Sequence, residues 1–154
     1  MNREAIQVYC DGGCRGNGKP NSIGSWAAVM SYKGQIKEFS GAERETTNNI
    51  QELKGAINAL KQLKKTHIPV EIHVDSAYVL NGITSWISGW KAKGWMTKGK
   101  QPVKNVELWK ELDELNQKFE SITWKKVKGH SDNAGNNRAD ELVNLAMDEL
   151  EINV

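Results

Sequence analysis

Ile6, Val8 and Cys10 alternate with Gln7, Tyr9 and Asp11 at the two-residue period of a strand, and the run meets Gly12-Gly13. The pattern predicts a first strand closed by Asp11 and a loop over residues 12–22. Residues 25–32 and 36–40 predict two further strands with Lys33-Gly34 as the turn between them, so the chain opens as an antiparallel meander. From Asn48 the period lengthens. Ile50, Leu53, Ile57, Leu60 and Leu63 recur every three or four residues, a helical stripe whose capping residues lie in Thr46-Thr47-Asn48-Asn49. After Pro69, Val70, Ile72 and Val74 alternate with Glu71, His73 and Asp75 as a fourth strand. Strand, helix and strand in this order place the fourth parallel to the first. Ser76 stands ready to cap a helix carrying Val79, Leu80, Ile83 and Ile87, and Leu108, Leu112, Leu115 and Phe119 mark another after Asn105. Residues 122–127 predict a short fifth strand and residues 128–136 an irregular loop. A last helix, beginning near Asn137, buries Ala139, Leu142, Val143, Ala146 and Leu150. The expectation is an α/β fold over residues 1–154, one domain with a five-stranded mixed sheet flanked by helices.

At 154 residues, 38% hydrophobic and 26% charged, the chain has the length and apolar content for one core. Its start lacks the apolar run of a secretory signal, and no stretch is long enough to span a bilayer, which leads us to expect a soluble, cytoplasmic monomer with no membrane contact. Cys10 and Cys14 have no further cysteine or histidine near enough for a zinc site and read as free thiols. Net charge is only +2, but it is unevenly spread: residues 76–106 contain no acid and carry Lys91, Lys93, Lys98, Lys100 and Lys104 together with Trp86, Trp90 and Trp95. Lysines interleaved with flat rings suit a polyanion whose sugars or bases lie against them. The same residues equally describe a solvated helix and loop whose tryptophans pack on one another.

Asp11, Glu52, Asp75 and Asp140 each stand where a regular pattern begins or ends. Singly, each has an ordinary role: turn formation for Asp11 and Asp75, capping for Glu52, the positive end of a helix dipole for Asp140. Jointly, the topology carries them to one edge of the sheet, where carboxylates repel unless a cation lies between them. Hard oxygen donors without a histidine cluster suit Mg²⁺ or Mn²⁺, and two such ions about 4 Å apart can clamp a phosphodiester. His130, in the loop ten residues before Asp140, occupies a position consistent with a proton carrier, against the commoner case of a lone surface histidine. His67 and His73 have no motif around them and read as structural background.

An ordered set of motifs then points to a family. Asp11-Gly12-Gly13-Cys14, Thr46-Thr47-Asn48-Asn49 before Glu52-Leu53, Val74-Asp75-Ser76, and Val127-Lys128-Gly129-His130 with Asn136 and Asp140 resemble the type 1 ribonucleases H, close to bacterial ribonuclease HI. Trp86-Ile87, Trp90-Lys91, Gly94-Trp95 and Pro102-Val103-Lys104 resemble the basic protrusion of the bacterial enzymes. The resemblance implies a ribonuclease H-like fold, with strands 1–3 antiparallel and strand 4 parallel to strand 1. It also implies Mg²⁺-dependent or Mn²⁺-dependent hydrolysis of the RNA strand of an RNA/DNA hybrid, leaving 5′-phosphate and 3′-hydroxyl ends. Asp11, Glu52, Asp75 and Asp140 match the family's metal-binding acids, and His130 its auxiliary proton-transfer residue. Asn17, Asn48 and Asn49 match residues that approach the hybrid's minor groove, Thr47 one that contacts a DNA phosphate, and Trp86 an aromatic beside the DNA strand. Cys14, Trp90, Lys91, Lys93, Lys98 and Asn136 complete the substrate-binding expectation. Departures occur at residues 18–22 and at Ile50, Ala77 and Ala92, all on the substrate side; the four acids are intact. Two other functions fit such a chain, a hybrid-binding module without catalysis and a metal-dependent nuclease acting on DNA. The paired asparagines and the Lys128-Gly129-His130 loop favour the hybrid-specific enzyme.

Overall fold

In the first strand, side chains at even positions face one way and those at odd positions the other, and both faces are covered. The computed structural model describes residues 4–127 and 134–152. Its strands are β1 (Ile6–Arg15), β2 (Ile23–Tyr32), β3 (Gln35–Arg44), β4 (Val70–Val74) and β5 (Ile122–Lys126). The helices are α1 (Asn48–Gln62), α2 (Ala77–Asn81), α3 (Ile87–Ala92), α4 (Val106–Gln117) and α5 (Ala134–Ile152), with a π-helical turn, Gly82–Trp86, joining α2 to α3. One sheet runs in the order β3-β2-β1-β4-β5, with β1 antiparallel to β2 and parallel to β4. Val8, Cys10, Ala28, Met30 and Ile72 bury against Leu53, Ile57 and Leu60 of α1 and Trp109 and Leu112 of α4. On the opposite face Ala27 and Val29 meet Ala139, Val143 and Met147 of α5, which lies across β1, β2 and β3. Among the described residues, no helix is long and apolar enough to cross a membrane.

The first strand corrects one expectation. It does not stop at Asp11 but continues to Arg15, with Gly12 opposite Trp26 and Gly13 opposite Ser25 on β2. The two glycines serve close packing rather than a turn. A Cβ on Gly12 would stand 2.4 Å from the backbone of Gln51 and Glu52, and one on Gly13 would stand 3.0 Å from Val143. Strand glycines commonly mark such a close approach. The strands β2 and β3 are likewise longer than their apolar patterns, because ladder hydrogen bonds extend into polar positions that periodicity does not register.

The helical stretch after β4 also departs from a single regular rod. Ser76 caps α2 as expected, its hydroxyl accepting from the Val79 N–H at 3.2 Å, but the π-helical turn follows at once. There Gly82 lies beneath the indole of Trp109, the largest fully buried side chain, and a Cβ on Gly82 would come within 2.0 Å of that ring. Gly82→Ala is expected to lower unfolding free energy by about 2 kcal/mol or more, since overpacking a filled core commonly costs 1–3. Urea denaturation checks this, with a lower midpoint at unchanged slope as the expected result.

Candidate active site

The centre of the site is a contact between β1 and the start of α1. Because Gly12 has no side chain, α1 approaches until the Gly12 N–H donates to both the Asp11 Oδ1, at 2.9 Å, and the Glu52 Oε1, at 2.8 Å. Gly55, one turn along α1, allows a second close approach: a Cβ there would sit 2.9 Å from the Asp11 carbonyl oxygen. Thr47 caps α1, its Oγ1 accepting from the Ile50 N–H at 3.2 Å, so Glu52 is not needed for capping and turns to Gly12.

Two carboxyl groups in so confined a space cannot both hold full charge cheaply. Burial pushes Asp11 up to about 6, with the Asp140 and Asp75 charges adding to the rise and hydrogen bonds from Glu52 and Gly12 opposing it. Burial and the neighbouring Asp11 charge raise Glu52 well above the usual carboxylate range. Their mutual hydrogen bond favours ionised Asp11 and protonated Glu52, which makes Glu52 the donor. The pair therefore gives up its last proton less readily than free carboxyl groups do, and a bound cation would compete for the same oxygens.

Asp75 and Asp140 face the same open cleft, whose lining also includes Gly13, Cys14, Asn48, Asn49 and Tyr78. Asp75 follows β4 directly and is exposed. Asp140 is exposed as well, and α5 begins at Ala134, three residues before the expected start. It thus sits in the second turn rather than the first, where the helix-dipole explanation loses most of its force. Among the described residues no group of three or more His, Cys, Asp or Glu side chains is gathered closely enough to hold a metal ion by itself. An open cleft lined by oxygen donors nonetheless fits Mg²⁺ or Mn²⁺, because such ions keep several waters and take only one or two carboxylates each. The buried, mutually repelling pair of Asp11 and Glu52 is the local feature that favours a cation.

Of the other candidate residues, Cys14, Asn48 and Asn49 line the cleft. Asn17 is exposed and tied to its rim, its Oδ1 accepting from the Asn48 N–H at 3.0 Å. Asn136 is buried in the first turn of α5, one turn before Asp140, and does not itself line the cleft. His130 lies outside the described residues. Trp86 is exposed and meets Tyr78 of the cleft wall at 6.0 Å between ring centres. Trp90 instead packs among Trp86, Trp95 and Trp109, so it joins the core more than it faces solvent. Lys91 is held by the largely buried Asp113 at 2.9 Å, whereas Lys93 and Lys98 are exposed. Lys98 occupies a short turn in which the Thr97 N–H donates to the Gln101 carbonyl and the Lys100 N–H to the Thr97 carbonyl.

Sequence reasoning missed Tyr78, which joins the cleft to the tryptophans and accepts hydrogen bonds from Trp109 Nε1 at 3.0 Å and Asn105 Nδ2 at 3.2 Å. It also missed Arg15 and Asn144 at the far end of the cleft. No local pattern marks these residues. Their roles arise from contacts across 27 or more positions.

Comparison with known proteins agrees with this geometry. The RNase H family model matches residues 3–148. A ribonuclease H from Francisella philomiragia is 51% identical over 145 residues, covering 94% of this chain and 92% of that protein. Among solved structures, LC9-RNase H1, a type 1 RNase H with the type 2 active-site motif, superposes with a TM-score of 0.82 at 28% identity, covering 97% of this chain and 74% of that one. LC11-RNase H1, solved in complex with an RNA/DNA hybrid, superposes at 0.71 with 27% identity, covering 95% and 99%. With a match along nearly its whole length and a relative half identical to it, this chain belongs to the ribonuclease H family.

Proposed function

We propose that the protein hydrolyses the RNA strand of RNA/DNA hybrids with the aid of divalent metal ions, leaving 5′-phosphate and 3′-hydroxyl ends. The observation that carries this reading is the meeting of Asp11, Glu52, Asp75 and Asp140 in one cleft from four separate segments of the chain. The hybrid held by LC11-RNase H1 supports the choice of substrate. Asp11 and Glu52 would hold Mg²⁺, or Mn²⁺ in its place, with Asp75 and Asp140 across the cleft. A bound pair of such ions supplies Lewis acidity, lowering the pKa of water and neutralising charge on the leaving oxygen. One water is consumed: its oxygen bonds to phosphorus, the bond to the 3′ oxygen breaks, the 3′ oxygen gains a proton and the water loses one. His130 is assigned the carriage of a proton away from the site.

Asn17, Asn48 and Asn49 at the rim are assigned to the hybrid's minor groove, Thr47 to a DNA phosphate, Trp86 to the DNA strand, and Cys14 and Asn136 to the surrounding contacts. Contacts to a 2′-hydroxyl on one strand and to deoxyribose on the other distinguish a hybrid from either pure duplex without reading bases. We place the protein in the cytoplasm, acting as a monomer. Cleavage of hybrid, RNA duplex and DNA duplex, each with and without chelator, tests the proposal. Loss of the hybrid alone, blocked by chelator, is the expected result; comparable DNA cleavage, or binding without cleavage, would count against it.

The basic arm contributes affinity through free lysines only. Lys93→Ala with Lys98→Ala is expected to raise KM several-fold with kcat unchanged, and to reduce the slope of log KM against log salt by about 1–2, near one unit per phosphate contact. Lys91→Ala should leave that slope unchanged, because Asp113 already neutralises its charge. A slope that falls equally in Lys91→Ala would show that the ion pair opens on binding.

A further inference from the structure

Tyr9 and His73 are register partners on the parallel strands β1 and β4, and each precedes an acid of the site by two residues. Because side chains alternate along a strand, Tyr9 leaves the sheet on the same face as Asp11. The Tyr9 and His73 rings stack nearly parallel, centres 4.4 Å apart and planes 9° from each other. That separation is close to the spacing of adjacent strands, so two flat side chains at paired positions fill it. Gln7 Oε1, 2.8 Å from His73 Nε2, fixes the imidazole's orientation. Tyr9 packs against the apolar cluster beneath α5, and Gly135, in that helix's first turn, lies directly on its ring. A Cβ on Gly135 would stand 2.4 Å from the Tyr9 Cδ2 and 2.6 Å from its Cε2.

This contact sets the height of α5 above the sheet. Asp140 stands five residues beyond Gly135 on the same helix, about 7.5 Å along its axis at 1.5 Å per residue. Among the described residues no side chain bonds to the Asp140 carboxylate, so its place in the cleft follows the placement of the helix. Neither Tyr9, His73 nor Gly135 lines that cleft.

We propose that Tyr9 and His73 are positioning residues, a stacked platform that seats the first turn of α5 and thereby sets Asp140 against Asp11. The inference rests on the reading that the four acids hold divalent metal. Its test is calorimetric titration of Mn²⁺ into the metal-free protein, together with steady-state hydrolysis of a hybrid. His73→Ala, which removes half of the stack at a partly exposed position, is expected to weaken Mn²⁺ binding and lower kcat about tenfold each, the lower end for a residue that orients a metal ligand, with KM unchanged. His73→Phe, which restores a flat ring without the Gln7 bond, is expected to recover both to within about threefold of wild type, since second-order orienting effects are smaller than the stack itself. If His73→Ala does not fold, His73→Leu, which fills the volume without a planar face, carries the same expectation.

A folded ring-less variant that binds Mn²⁺ and turns over like wild type would overturn the proposal, as would failure of His73→Phe to recover either quantity. Wild-type protein that binds no Mn²⁺ would overturn the metal reading itself, and the positioning role with it.

Discussion

Asp11→Asn is expected to abolish hybrid cleavage at every Mg²⁺ concentration and to raise the stability of the metal-free protein at neutral pH. Both effects have one origin. The ionised Asp11 is held in place by the Gly12 N–H beside a second carboxyl group that is more deeply buried, an arrangement that suits a cation and is costly without one. On the proposed metal-binding role, loss of this charged oxygen should remove several kcal/mol of transition-state stabilisation, which corresponds to about three orders of magnitude or more in kcat. The amide retains the shape, so the fold survives.

The stability effect has a definite sign and pH window. Asp11 titrates near 3.8 when unperturbed and is pushed up to about 6 in the fold. Between those values the native state keeps a proton that the unfolded chain has lost, so stability falls as pH rises through the window. The raised Glu52 extends the fall further upward. Well below pH 3.8 the penalty from Asp11 is absent; at pH 7 it is fully present, on the order of 3 kcal/mol for a shift of about two units. Asn at position 11 should therefore raise Tm in chelator at pH 7 and leave it nearly unchanged at pH 4. Mg²⁺ added to wild type should raise Tm more at pH 8 than at pH 5, because protons compete for the same oxygens. Thermal unfolding across this pH range, with and without chelator, checks both. A variant that is inactive but no more stable than wild type would detach the metal site from the charge pair.

Gly12→Ala is expected to cost about 3 kcal/mol or more, at the upper end for overpacking, because the new methyl group would meet backbone rather than a movable side chain. It would also displace the N–H that holds both Asp11 and Glu52. Folded molecules should lose about 100-fold in kcat, the scale for displacing catalytic groups by about 1 Å. Gly89→Ala is the control. A Cβ there meets nothing within 4 Å, and its place inside α3 makes alanine the better helix former by about 0.5–1 kcal/mol. Paired denaturant curves should thus move in opposite directions. Equal stability for the two variants would show that β1 and α1 can part without loss.

Charged contacts over the sheet's second face and around α5 illustrate why such sites resist prediction. Arg15 is bound by Asp148 at 2.8 Å and Glu151 at 3.0 Å, more than 130 positions away, and Gln51 donates to both Glu43 and Thr46 in the capping region before Glu52. Lys91 has a charge that composition assigns to a basic arm, yet Asp113 claims it. His73, a residue without any motif, becomes notable only when β4 pairs with β1 and puts its ring on Tyr9.

Periodicity by itself determined the strand and helix order, the parallel pairing of the first and fourth strands, the span of α1, and the four acids as one candidate set, because each depends on backbone geometry repeated over a short window. Only the tertiary structure decided that β1 runs on through Gly12 and Gly13, that Trp90 belongs to packing while Trp86 faces outward, that α5 starts at Ala134, and that Glu52 turns to Gly12 instead of capping its own helix. Those outcomes depend on which distant groups come within a few ångströms once the layers close. The free energy of such contacts is set by burial and charge between partners that no local pattern pairs in advance.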